Sequence, residues 1–259
     1  MTAVPAQAAR RGPRPIFGLR LLGFGVLLLL WIAVSTFSAG SVLPNPLAVL
    51  ASLSAEIASG ELWIHLGATL GRVGMAFVLA LAIGSALGIW MGMRERADQA
   101  LDGLLIVMLN LPALVVMILC YVWLGLTDVA AVLAVALNKI PTVVVTLREG
   151  ARALDTRLLD VGRVYRVSAW ARIRHIVIPQ LLPYALAAAR TGLALIWKIV
   201  LVVELIGRPN GVGFKLGNYF HFFDLAGVLA YTLAFVAVVL LFEWGVLRPA
   251  ERRLLRWRT

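Results

Sequence analysis

Six apolar stretches divide the chain, at Leu19 to Ala39, Leu66 to Met91, Leu101 to Leu124, Val129 to Leu147, Leu182 to Ile206 and Ala226 to Leu247. A hydrocarbon core about 30 Å thick asks for roughly 20 helical residues, and each stretch has that length. None alternates apolar and polar positions over about ten residues, as a membrane-spanning strand would. The pattern predicts an all-α, polytopic membrane bundle of about six transmembrane helices. Connections are short and no long repeat is visible, so residues 19–248 read as one membrane domain between basic tails at 1–18 and 249–259. The second stretch and its end carry Gly67 and Gly71, then Gly84, Gly88 and Gly92, three GxxxG pairs that predict close approach of a neighbouring helix.

The longest polar interruption lies between the fourth and fifth stretches. Its core, Asp160 to Pro183, reads DVGRVYRVSAWARIRHIVIPQLLP. Asp155 is placed to cap a helix over TRLLDVGRVYRV, with Leu158, Val161 and Tyr165 on one face and Arg157, Asp160 and Arg163 elsewhere. Ser168 is placed to start a second short helix, SAWARIRHIV, which Pro179 is expected to end; Pro183 suits the first turn of the fifth span. An amphipathic, arginine-rich segment of this kind fits an anionic leaflet, the end of the bundle itself, or a groove in a partner. The residues alone leave the three open.

Composition and charge set the orientation. With 61% hydrophobic and 14% charged residues, the chain is far more apolar than a soluble domain. The net charge of +11 therefore reads as topology, not as nucleic-acid binding. With the N-terminal tail in the cytoplasm, that side collects Arg10, Arg11, Arg14 and Arg20, then Arg94 and Arg96, then Arg148, Arg152, Arg157, Arg163, Arg166, Arg172 and Arg174. Arg248, Arg252, Arg253, Arg256 and Arg258 follow in the C-terminal tail, whereas the opposite loops keep only Arg208 and Lys215. Both termini are expected inside. The basic start before an apolar run also resembles a signal peptide, but the run is longer than an h-region and more spans follow, so a retained first span is expected. Trp90, Trp123, Trp244 and Trp257 fall near span ends as interfacial anchors.

Candidate chemistry is sparse. Cys120 stands alone in an apolar run, and His65, His175 and His221 lack metal-ligand spacing. No GxxxxGK[ST] phosphate loop is present, so any ATP chemistry must come from another polypeptide. Ionisable residues inside spans are costly and need a partner, water or a task. Lys139 and Lys198 lie well inside their spans, and facing a translocation path they would favour an anionic solute. The competing reading pairs Lys198 with Glu204 and clusters Lys139 with Asn138.

The order EGARALDTRLLDVGRVYRVSAWARIRHIVIPQLLPYALAAAR resembles the cytoplasmic "EAA" loop of ABC-type importer permeases, specifically the nitrate, sulfonate and taurine branch. The likeness extends to VLPNP at Val42 to Pro46, HLGATLGRVGMAF at His65 to Phe77, LNLPALVVMILCYVWLGL at Leu109 to Leu126, and Glu204 at the close of the fifth span. It implies a permease of a bacterial inner membrane, homodimeric or paired, bound inside by an ABC ATPase that uses ATP and outside by a solute-binding protein, with no cofactor on this chain. It also implies that Asp160, Val161, Gly162, Tyr165, Arg166, Pro179 and Pro183 form the ATPase-coupling segment. Arg72, Arg190 and Glu204 stand where the family often has the same residue types; Glu204 and Arg190 join Lys139 and Lys198 as translocation-path candidates. Two departures stand out: Asp160, Val161 and Gly162 replace the family's acidic residue and two alanines, and Arg166 replaces its usual glycine. The second implies a matched ATPase with room, or an acidic residue, for the cation.

The expected function is ATP-driven import of a small anionic solute, with catalysis left to the ATPase. An ATP-independent secondary transporter or channel would carry its coupling site on broken helices in related halves. Pro112 and Pro141 could break helices here, but no matching halves are visible. A membrane enzyme would want a cluster of His, Asp or Glu, which the sequence lacks.

Overall fold

The computed structural model describes residues 17–37 and 43–254; Arg10, Arg11, Arg14, Ser38, Ala39, Val42, Arg256, Trp257 and Arg258, which carry several of the expectations above, lie outside the described residues. Every described element is a helix. The chain divides into two units, residues 1–51 and 52–259. In the first, α1 covers Phe17–Phe37, and Trp31 Nε1 donates to the Pro44 carbonyl at 2.9 Å. Asn45 Oδ1 then accepts from the Leu47 amide at 3.0 Å and opens α2, Pro46–Ala58, with proline at the position where a missing amide costs least.

The second unit contains α3 (Glu61–Met93), α4 (Glu95–Asn110), α5 (Ala113–Leu124), α6 (Asp128–Arg152), α7 (Thr156–Val164), α8 (Ala169–Arg172), α9 (Ile178–Gly207), α10 (Val212–His221), α11 (Leu225–Phe242) and α12 (Arg248–Leu254). Four helices among the described residues are long and apolar enough to cross a membrane: α3, α6, a continuous run Ala169–Gly207 and a continuous run Leu225–Leu254. A fifth span exists if α4 and α5, bent by 97°, count as one. The third apolar stretch is thus not the straight helix its hydropathy predicts. Pro112 disfavours the helical conformation at the residue before it, and Leu111 is extended at φ −68°, ψ 125°. Within α1, the apolar part Gly25–Phe37 is shorter than a full span.

The second proline expectation also needs correction. Pro179 does not end the short helix begun at Ser168. A π-helical turn, Ile173–Val177, joins α8 to α9, and its wider winding accommodates the missing amide of Pro179. Pro183 consequently lies inside α9 and not in its first turn. A second π turn, Glu243–Leu247, joins α11 to α12 in the same way.

Helices α3 and α6 run parallel, with α9 antiparallel to both. The α3–α6 seam is built on glycine: a Cβ at Gly84 would lie 2.6 Å from Val143 Cβ, one at Gly88 2.5 Å from the Val144 carbonyl oxygen, and one at Gly92 2.6 Å from Ala151 Cβ. A Cβ on Gly67 or Gly71 would meet nothing within 4 Å, so close approach is confined to three of the five glycines. Small residues Ala130, Ala131 and Ala134 of α6 continue the seam into a core with Ile196, Trp197, Val200 and Tyr231. At one end of the bundle lie the start of α3 and the end of α9; the segment α7–α8 lies at the other.

Candidate functional site

At the first end, the segment Asn210 to Gly213 is gripped by side chains from two helices, α3 and α9. Gly211, Val212 and Gly213 donate consecutive amide hydrogens to His65 Nδ1 (2.9 Å), Thr69 Oγ1 (2.8 Å) and Glu204 Oε2 (3.0 Å). These amides start α10, where no intrahelical acceptor exists and a carboxylate is favoured by the helix dipole. Thr69 Oγ1 in turn donates a hydrogen bond to Glu204 Oε2 at 2.9 Å. Arg72 Nη1 donates to Glu204 Oε1 at 2.6 Å and to the Asn210 carbonyl at 2.9 Å, while its Nε reaches Asp128 Oδ1 at 2.7 Å. Asp128 also holds Arg208 at 3.0 Å. Arg72 and Arg208 thereby balance Asp128 and Glu204, and the Glu204 side chain is fully enclosed.

Two glycines make this grip possible. Gly211 has φ +117°, and a side chain there would enter the Glu204 carboxyl; one at Gly213 would strike the Leu201 carbonyl. Because His65 Nδ1 accepts from Gly211, its proton sits on Nε2, 3.2 Å from Glu61 Oε2. Beside it, Glu56 accepts from the Tyr219 hydroxyl, from the Tyr231 hydroxyl at 2.6 Å and from Lys215 at 3.5 Å. Burial pushes the Glu56 carboxyl up, but the two hydroxyls and the ammonium outweigh it and hold the group below its ordinary value. The sequence signal was present in GRPNGVGF, Gly207 to Phe214, which begins three residues past Glu204, yet it reads only as turn chemistry until the fold closes it over the carboxylate.

At the second end, α7 and α8 form a corner. Asp155 Oδ1 accepts from the Arg157 amide at 2.8 Å and Ser168 Oγ from Ala171 at 3.3 Å, as the two caps predicted. The Asp155 amide donates to Gln180 at 2.9 Å, tying α7 to the start of α9. Gly162 lets the two short helices touch: a Cβ there would sit 3.1 Å from both Arg172 Cδ and Ile176 Cδ1. Leu154 and Leu159 pack with Val177 and Leu181 on the bundle. Leu158, Val161, Val164, Tyr165 and Trp170 are exposed, Tyr165 by 78% and Trp170 by 67%. The apolar stripe predicted on α7 is therefore the face turned away from this chain. Arg166 has φ +52°, and the Val167 amide bonds the Gly162 carbonyl at 2.9 Å. That is a helix C-terminus of the kind normally closed by glycine, a backbone reason for glycine at this position that spacing could not reveal.

The remaining candidates separate. Arg190 is bound to Glu243 at 2.8 Å and Glu251 at 2.9 Å, joining α9 to the turn after α11 and to α12. Glu204 is occupied by Arg72, so the alternative Lys198–Glu204 pair does not form; Lys198 is exposed on α9. Lys139 is 97% buried, and Gly192 of α9 stands opposite its stem, where a Cβ would lie 3.0 Å from Lys139 Cε.

A family model described as binding-protein-dependent transport system inner membrane component matches residues 80–248. A Bacillus subtilis (strain 168) protein named for aliphatic sulfonates transport, the permease protein SsuC, is 30% identical over 258 residues, covering 98% of this chain and 93% of its own. The taurine transport system permease protein TauC of Escherichia coli (strain K12) is 28% identical over 239 residues, 90% of this chain and 86% of its own. Among solved structures, an inward-facing form of the MetNI methionine ABC transporter superposes with a TM-score of 0.61 at 16% identity, covering 74% of this chain and 93% of that one, which is likeness of fold.

Proposed function

Because this chain belongs to the family of inner-membrane components of binding-protein-dependent transport systems, a permease family of ABC importers, we propose that it carries a small anionic solute inward under the drive of a separate ATPase docked on the α7–α8 corner. The observation that carries this reading is the continuity of Ala169–Gly207. That single helix, about 58 Å long at 1.5 Å per residue, starts in the exposed corner and ends with Glu204 inside the opposite grip. A partner closing on Val161, Tyr165 and Trp170 would load one end of a rod whose other end holds the entry segment. Gly162 and the Asp155–Gln180 bond make the corner stiff enough to transmit it. Residues Asp160, Val161, Gly162, Tyr165 and Arg166 form the docking corner, while Pro179 and Pro183 lie on the rod behind it.

The arginine excess at the corner supports a cytoplasmic position for that end and for both tails, with the surrounding lipid covering the apolar flanks. A solute-binding protein docks at the opposite end, and a second permease copy completes the path. The names of the relatives, sulfonates and taurine, support an anionic solute. ATP stays with the ATPase; this chain performs no catalysis.

The test is co-purification and uptake. With Val161, Tyr165 and Trp170 all changed to Ser, the chain should still insert and bind its solute-binding protein, yet lose its ATPase and ATP-driven uptake together. Uptake retained at the wild-type rate, or a corner labelled only from outside the cell, would overturn the reading.

A further inference from the structure

Just outside the grip, between the last turn of α9 and one side of α10, lies a cavity of about 480 Å³ that Leu126 also lines. That volume falls in the range of small-ligand sites. Phe214, Gly217, Asn218 and His221, at offsets of three, four and seven residues, turn one face of α10 onto it. Gly217 keeps the space open: a Cβ there would already stand 3.6 Å from Leu205 Cγ, so a longer side chain would lie across the cavity.

The polar groups on this cavity are unspent, and they fall into two sets. Asn218 and His221 make no side-chain hydrogen bond among the described residues. Arg208 is tied at its far end, where Nη2 lies 3.0 Å from Asp128 Oδ2 and Nη1 donates to the Leu126 carbonyl. Its Nε is enclosed without a partner, in a side chain only 9% exposed. These three side chains supply donors. The second set is acceptors. Leu205, Ile206 and Gly207 line the cavity as the last residues of α9, and their carbonyls accept no hydrogen bond among the described residues. Pro209 has no amide hydrogen to offer, and the Gly211 amide goes to His65. The helix dipole at such a C-terminus favours a cation.

No net charge stands behind either set. Arg72 and Arg208 are balanced by Asp128 and Glu204. Lys215 does not line the cavity and is bound by Glu56 at 3.5 Å and Glu61 at 3.1 Å. A simple anion would meet the negative end of α9, and a simple cation would meet the donors of Arg208 and Asn218. A molecule with both charges satisfies both edges.

We propose that this cavity binds a small zwitterion, with its sulfonate or carboxylate on Arg208, Asn218 and His221 and its ammonium on the α9 carbonyls. The carbon spacer lies against Phe214 and Leu205. An amino-sulfonate or an amino acid has this form, so the anionic head of the solute is accompanied by an amine. The site rests on the importer reading for its meaning as a stop on the way in; binding itself needs neither ATP nor a partner.

The probe is taurine, with ethanesulfonate and ethylamine as single-charge controls. Equilibrium binding is measured on the full-length protein in phosphatidylglycerol nanodiscs, a lipid without an ammonium, and with no ATPase or solute-binding protein present. Taurine should bind best, each control being weaker by roughly tenfold for the loss of one charged, hydrogen-bonded end. Gly217→Leu should abolish binding by filling the cavity. Asn218→Asp keeps the shape but repels the sulfonate, and should weaken binding by about tenfold or more. Where Gly217→Leu does not insert, Leu205→Trp fills the same space from an exposed position on α9. Taurine that binds no better than the controls, or that binds undiminished to the filled and Asn218→Asp variants, would overturn the site. Taurine displaced when phosphatidylethanolamine replaces the lipid would assign the cavity to a headgroup and overturn the solute reading of it. Intact binding alongside uptake that needs no ATP would instead leave the site standing and remove the importer reading.

Discussion

Arg72 Nη1 lies 2.6 Å from Glu204 Oε1, a pair buried at 4% and 0% side-chain exposure that joins α3 to α9 across 132 residues of chain. Removing Arg72 strands the Glu204 carboxylate in a low-dielectric site, and removing Glu204 leaves the buried Arg72 guanidinium with Asp128, whose carboxyl is 54% exposed. Arg72→Met or Glu204→Ala alone should each cost about 3–5 kcal/mol. The double substitution should cost clearly less than the sum, because no orphan charge remains. Thermal unfolding of the four proteins in one detergent checks it; additive losses would mean that the pair is not coupled.

Glycines along α3 should divide sharply. Gly88→Ala forces a methyl to 2.5 Å from the Val144 carbonyl, so α3 and α6 must move apart, at a cost of about 1–3 kcal/mol. Gly74→Ala meets nothing within 4 Å and should be neutral or stabilising by up to about 1 kcal/mol. Melting temperatures of the two variants, compared under identical conditions, decide the point.

Arg166 occupies a left-handed conformation that a Cβ resists. Arg166→Gly should therefore steady the end of α7 by about 1 kcal/mol, while Arg166→Val should loosen it further. Amide hydrogen exchange over residues 156–177 reports the difference directly. Exchange that is slower in the valine variant would contradict this.

Glu56 supplies a pH dependence. Its carboxyl is held below the ordinary 4.5 in the folded protein by Tyr219, Tyr231 and Lys215, against the upward push of burial. The folded state thus favours the deprotonated form, so its stabilising contribution is complete above pH 4.5 and is lost as pH falls through the lower folded value. Between pH 6 and pH 3 the melting temperature should fall, and Glu56→Gln should flatten that part of the curve while lowering its neutral plateau. A parallel, undiminished fall in the variant would assign the effect elsewhere.

Much of the coupling corner is legible in the chain because its signals are local. Asp155 and Ser168 bond amides two and three residues ahead, so a cap is readable from its own neighbourhood. Pro112 breaks the third apolar stretch, whereas Pro179 does not break the continuous helix Ala169–Gly207 that carries the fifth. The difference is the π turn at Ile173–Val177, which no composition rule announces. Arg166 shows the same limit: a family pattern marks the position for glycine, but only the backbone angle gives the cause.

Hydropathy, the arginine distribution and capping residues were enough to assign a helical membrane protein with a polar corner between two spans, since burial in lipid and the closing of a helix end depend on residues within a few turns. Which charges meet was settled by packing. Glu204 could pair with Lys198 six residues away or with Arg72 across the fold, and the approach of α3 to α9 selects Arg72. That same packing closes Gly211 and Gly213 over the carboxylate and sets the Lys139 stem against Gly192, with no ion pair to Lys139 among the described residues. Electrostatic energy depends on distance in space, and in a bundle that distance is set by which helices touch, not by separation along the chain.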